Sequence, residues 1–152
     1  MHGEGRSVGG KAIIGDADSL IALVNIQDAH HAKAQKIAEA LLGQGYTIMY
    51  PNTAILEAIT SLKRKLNLSD KAELLAKQFL QGAFMVIWVD EKIQRRAFEL
   101  FAAKAQSKQN TVFDCIVAVC VKNISANGVF SFDDWYTKLG IPIAQALISS
   151  SS

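Results

Sequence analysis

Four short runs of strand-forming apolar residues, separated by stretches with helical patterning, constrain this chain more than any other feature. Lys11 to Gly15, Thr47 to Tyr50 (TIMY), Phe84 to Val89 (FMVIWV) and Gly128 to Phe132 (GVFSF) read as strands. Leu20 to Val24 is apolar and reads as helical. From about Ala29 to Leu42, residues Ala34, Ile37, Ala38 and Leu41 recur at helical spacing until Gly43 and Gly45 end the pattern. Pro51 blocks the second strand, and Asn52 or Thr53 can cap a helix to about Leu66. Ser69 and Asp70 cap the next helix, to about Leu80. Asp90 caps one to about Lys104, and Thr111 opens one to about Lys122. Strands alternating with helices imply an α/β protein: a three-layer α/β/α sandwich around a parallel sheet of four to five strands. The fifth would be a short strand near Ile141-Pro142. FMVIWV lacks alternation, so it is expected to be fully buried, with Trp88 in the core.

At 152 residues the chain is long enough for one domain with a substantial core. Half the residues are hydrophobic and a fifth are charged, an ordinary globular balance. The formal charge of +2 does not announce nucleic-acid binding, nor does it exclude a local basic patch. Cys115 and Cys120 fall on one helix and point about 140° apart at 3.6 residues per turn, which disfavours a disulfide or a shared metal. A reducing cytoplasm is the expected location. No apolar run reaches the roughly 18 residues that cross a membrane. Residues 1–10 read as a leader, tag or disordered arm, residues 11–146 as a single domain, and residues 147–152 as a tail.

Acidic residues sit where the buried segments end. Asp16 and Asp18 follow the first strand, Asp114 lies in TVFDCIVAVC, and Asp133 and Asp134 follow the fourth strand. Ligands of open parallel sheets bind outside the carboxyl ends of the strands, so these acids are placed to meet. Carboxylates in apolar surroundings are usually paired or hold a metal. Each also has a plainer reading. Asp16 and Asp18 suit a helix N-cap and a first-turn acid. Asp114, three after Thr111, suits a capping box. Asp133 or Asp134 suits an Asx-type turn. Ser131 is placed either as a strand-end serine or as a hydrogen-bond donor to a carboxylate. The stripe Ile55, Ile59, Leu62, Leu66 leaves Glu57 on the opposite, solvated side of its helix. His30 and His31 have no partner at metal-ligand spacing and read as a solvated pair or a cap. Lys63, Arg64 and Lys65 form a basic run at a helix end, read as a solvated face with phosphate contact second; Arg95 and Arg96 read the same way. Trp135 beside the acidic turn reads as packing first and base stacking second.

Taken in order, these segments resemble a PIN domain, the small nuclease fold of VapC-type toxins. IIGDADSLIALV resembles the family's first motif with Asp16 leading, and NTAILEAITSL the second with Glu57. TVFDCIVAVC resembles the third with Asp114, and GVFSFDDWYTKLGI the fourth with Ser131 and Asp133. HHAKA also sits where such toxins often carry a histidine. Glu57 enters the candidate site on this resemblance alone. The position of Asp18 is more often Ser, Asn or Thr in the family, and Asp134 duplicates the fourth acid.

The resemblance implies a metal-dependent endoribonuclease. Asp16, Glu57, Asp114 and Asp133 would be its catalytic acids, with Asp16, Asp114 and Asp133 as ligands of Mg²⁺ or Mn²⁺. Asp18, Ser131 and Asp134 would assist, and Lys63, Arg64 and Lys65 would contact RNA. An all-carboxylate site suits a hard cation. Likeness to VapC toxins further implies an antitoxin partner and a homodimer. Two other readings compete. Asp16-Ala17-Asp18 resembles the start of haloacid-dehalogenase-type phosphatases, with Asp16 as nucleophile; Ser19-Leu20 departs from the usual Gly-Thr. The alternative is a PIN-like binding module without catalysis.

Overall fold

The computed structural model describes residues 10–104 and 110–149. The chain runs β1 (Lys11–Gly15), α1 (Ala17–Val24), α2 (His31–Gly43), β2 (Tyr46–Pro51), α3 (Asn52–Arg64), α4 (Ser69–Leu80) and β3 (Met85–Ile87). It continues through α5 (Glu91–Lys104), α6 (Val112–Asn123), β4 (Gly128–Phe130), α7 (Trp135–Lys138) and α8 (Ala144–Ser149). The four strands form one sheet in the order β3-β2-β1-β4. Every pairing is parallel, as connections through helices require. The expected fifth strand is a single bridge, Val129 to Ile143.

Alternation along β1 sorts the layers. Ile13 packs with α2, α8 and Phe130. Its neighbour Ile14 points the other way, into a cluster built from α5, α6, α7 and Val129. A third cluster joins α1, α3 and α4 around Tyr50. Helices therefore cover both faces, and the expected three-layer α/β/α arrangement is what the chain adopts.

Several local expectations need correction. β3 is an edge strand of three residues, not a buried run of six, and Met85 is exposed on it. Trp88 lies beyond the paired segment, 65% exposed, and meets Phe79 edge-on rather than entering the core. Pro51 closes β2 as its last paired residue instead of breaking it. Asn52 does not cap α3; its Oδ1 accepts the Val89 N–H and ties the end of β3 to the start of α3. Neither Ser69 nor Asp70 caps α4, which begins after Leu68 without a side-chain cap. Asp90 and Thr111 do cap, through the N–H groups of Ile93 and Asp114. α8 carries the fold past residue 146, with Leu147 and Ile148 packed on the Ile13 cluster. The expected leader and the end of the expected tail, residues 1–9 and 150–152, lie outside the described residues.

Gly15 closes β1 directly beneath the Tyr50 ring, and a Cβ there would fall inside that ring's van der Waals surface. A buried aromatic wedged between α1 and α3 has little room to retreat. Gly15→Ala is therefore expected to cost about 1–3 kcal/mol, the usual scale of overpacking. Chemical denaturation should show the midpoint falling with an unchanged slope; an unchanged midpoint would contradict this packing.

Candidate active site

The sheet order reverses between β1 and β4, and the acids gather at the carboxyl ends of those strands. Asp16 follows β1 immediately. Its backbone N–H donates to the Phe130 carbonyl at the end of β4. Its side chain N-caps α1, Oδ1 accepting the Ser19 N–H at 3.2 Å. Oδ2 faces the hydroxyl of Tyr136, which donates across 3.4 Å. Asp16 is only 4% exposed.

Asp18, two residues further on, is exposed and bridges to the fourth strand. Its Oδ2 accepts from the Ser131 hydroxyl at 3.4 Å and from the Phe132 N–H at 3.3 Å. Ser131 Oγ, fully buried, also accepts the Asp133 N–H at 3.0 Å. Asp133 Oδ1 accepts the Trp135 N–H, so the expected Asx-type turn is present at Asp133. Asp134 is exposed at the head of α7, its carbonyl accepting from Thr137 Oγ1. Asp114 forms the expected capping box with Thr111, the Asp114 carboxylate accepting the Thr111 N–H at 2.9 Å.

Electrostatics tie these groups together. Burial pushes Asp16 well above the ordinary carboxyl range, and contact with the Asp18 carboxyl and its charge add to the rise. Asp114 is also raised, by burial first and then by Asp133 and Asp18, against the pull of its capping bonds. Glu57 is pushed up to about 7, by burial first, then by Asp114 and Asp18, with Lys65 acting in the opposite sense. Glu57 is thus half-buried beside the other acids, not solvated as helical periodicity suggests. The buried face of α3 runs through Ala54, Ile55, Ala58 and Leu62, while Leu66 is exposed beyond the helix end. Glu57 borders the Ala54–Ala58 edge of that face. Of the basic run, Lys65 falls within charge reach of the site. Lys63, Arg64 and Lys65 are all exposed at the end of α3.

Among the described residues, no three His, Cys, Asp or Glu side chains stand close enough to hold one ion as they are. The chemistry of the acids fits a hard divalent ion: oxygen donors only, one of them buried, and three raised by burial first and then by neighbouring carboxylates.

Two buried phenols border the leading acid that the sequence reading did not single out. Tyr136, fully buried, reaches Asp16 from α7. Tyr50 reaches over Gly15 from β2, with its buried hydroxyl toward Ser19. Both are raised by burial and by the charges of Asp16 and Asp18. A tyrosine among apolar neighbours carries no local mark of such a role, because only the fold brings it to Asp16. Trp135 is buried, in line with the packing reading. Cys115 and Cys120 are buried free thiols.

Comparison with known proteins agrees with this architecture. The PIN domain family model matches residues 13–141. Two solved structures share the fold. VapC20 of Mycobacterium tuberculosis, a sarcin–ricin-loop-cleaving toxin, superposes with a TM-score of 0.72 at 21% identity, covering 86% of this chain and 96% of its own. VapBC2 of Rickettsia felis, bound to a DNA fragment from its promoter, gives 0.54 at 15% identity, covering 86% and 93%. At these identities the likeness concerns the fold. No curated protein sequence matches the chain. The family match sets aside the haloacid-dehalogenase-like alternative. Over most of its length, the chain belongs to the PIN domain family.

Proposed function

We propose that this protein is a divalent-metal-dependent endoribonuclease acting on single-stranded or looped RNA, and the toxin of a toxin–antitoxin pair. One observation carries the reading: at the ligand-binding end of a PIN sheet Asp114 lies within charge reach of Glu57, Asp133 and Asp18, Asp18 contacts Asp16, and the Tyr136 hydroxyl feels Asp16, Asp114, Asp18 and Asp133 together. The structural likeness to a toxin that cleaves an RNA loop supports the substrate class.

In this reading Asp16, Asp114 and Asp133 hold Mg²⁺ or Mn²⁺. When bound, the ion supplies Lewis-acid polarisation of the phosphodiester and activates water. Ser131 and the Phe132 N–H hold Asp18 beside Asp16. Glu57, half-buried within charge reach of Asp114 and Asp18, is placed to hold or move a proton beside the ion. Tyr136 orients the buried Asp16 carboxylate, and Lys63, Arg64 and Lys65 steer the RNA backbone. Asp134, solvent-facing, assists at the rim.

For partners we propose an antitoxin protein and a second copy of the chain. The apolar groove of about 400 Å³ lined by Ile55, Leu56, Ile59, Phe79, Leu80 and Trp88 supports a protein contact. No helix among the described residues is long and apolar enough to cross a membrane, and we place the activity in the cytoplasm.

Labelled RNA incubated with the protein should be cut in Mg²⁺ or Mn²⁺ and stay intact in EDTA. RNA left whole under every metal condition would contradict the proposal. The open arrangement of the acids also permits a PIN-like module without catalysis. A Mn²⁺ titration separates the two readings, since a ligand of the folded state raises the melting midpoint. Tyr136→Phe keeps the ring and removes the hydroxyl from Asp16. It is expected to weaken Mn²⁺ binding by about 10-fold or more, in the range seen for groups that orient metal ligands. Calorimetric titration of the variant measures this directly, and wild-type affinity would show the contact to be idle.

A further inference from the structure

Three aromatic rings run from the core to the surface beside the acids. Phe130 is fully buried in β4. Phe132, two residues on, is half-buried and meets Phe130 edge-on with centroids 6.2 Å apart. His30, exposed at the head of α2, stacks on Phe132 at 4.3 Å with only 4° between the ring planes. His30 is held there by its backbone. Its N–H donates to Asp28 Oδ1 at 2.8 Å and its carbonyl accepts the Ala34 N–H. The next residue is pinned by the 2.7 Å contact between His31 Nδ1 and the Ala22 carbonyl. The outermost ring therefore has one face on Phe132 and a braced position on an exposed residue.

The place of this stack separates it from ordinary packing. Phe132 lies between Ser131 and Asp133, and its own N–H donates to Asp18. The exposed ring thus stacks on a residue whose backbone N–H holds Asp18 and whose chain neighbours are Ser131 and Asp133. A flat, braced aromatic face in that position matches the one surface that every unpaired nucleobase presents, its π-face. A lone histidine ring in solvent would lose rotamer freedom on stacking with a base; a ring already fixed against Phe132 has little left to lose.

We infer that the outer face of His30, backed by Phe132, is a base-stacking subsite for an unpaired nucleotide next to the phosphate that is cut. This deepens the endoribonuclease reading and rests on it.

The test measures binding, not cleavage. Fluorescence anisotropy of a labelled single-stranded RNA is followed on the full chain carrying Asp114→Asn, with and without His30→Ala. Base stacking is worth enough that removing the ring should weaken binding roughly 5- to 150-fold. His30→Phe should hold the parental affinity. An RNA series lacking one base at a time adds a second readout. One abasic position should weaken binding to the His30 protein and cost nothing further on His30→Ala. Melting curves confirm that each variant is folded. Equal affinity of His30→Ala and its parent, or base losses that simply add to the His30→Ala loss at every position, would overturn the subsite and leave the nuclease reading standing. Failure of His30→Phe to bind like the parent would also overturn it. Absence of RNA binding by the parent would overturn both.

Discussion

Asp16→Asn and Asp114→Asn are each expected to lower metal-dependent RNA cleavage by at least about 10²-fold, the scale seen when one group that stabilises transition-state charge is removed. The substitutions are expected to spare the fold. Asparagine is as good an N-cap as aspartate, so the amide oxygen in Asp16→Asn can still accept the Ser19 N–H. The amide nitrogen can donate to the Tyr136 hydroxyl where the carboxylate accepted from it. The Asp16 carboxyl is also held well above its ordinary value by burial and by Asp18. Removing its charge should therefore leave the metal-free midpoint unchanged or higher while cleavage collapses. Asp114→Asn keeps an acceptor for the Thr111 N–H. Cleavage rates and melting curves on the same samples test both halves. Undiminished cutting by both variants would reject the assignment, and a collapsed midpoint would show Asp16 to be structural.

The metal-free protein should become more stable as the pH is lowered from 8 to 5. Asp16, Glu57 and Asp114 are all raised, so each binds its proton more tightly in the folded chain than in the unfolded one. For such groups stability is fully present below the unfolded pKa and is lost as pH rises through the folded one. For Glu57 that window runs from its ordinary 4.5 to about 7, within easy reach of buffers. Glu57→Gln should flatten much of the slope. Saturating Mg²⁺ or Mn²⁺ should flatten it too, because a cation among the acids offsets the repulsion that raised them. A midpoint that rises steadily from pH 5 to pH 8 without metal, or a slope untouched by Glu57→Gln, would show that the acids do not repel as described.

Much of this was legible in the sequence because local chemistry and global fold agree. β1 breaks off at Asp16, Thr111 and Asp114 spell a capping box, and the helical stretches between strands leave a parallel sheet as the outcome. Glu57 was not legible from pattern. Its helix buries a face built partly of Ala54 and Ala58, residues too small to register as an apolar stripe, and the larger Ile59 and Leu66 drew the reading to the wrong side. Trp88 misled for the opposite reason. Its apolarity suits a core, but it falls just past a three-residue edge strand. Asn52 carries the mark of a helix cap and is instead used to fasten a neighbouring strand. Tyr136 reaches Asp16, and Tyr50 the adjoining Gly15, from distant points in the chain, and nothing in their own segments records the meeting.

Acids from separate elements are expected to converge on one divalent ion. Anomalous diffraction from crystals soaked in Mn²⁺ tests it most directly. A peak with Asp16, Asp114 and Asp133 oxygens at bonding distance is the predicted result; crystals that take up no Mn²⁺ there, or take it up away from these side chains, would contradict it.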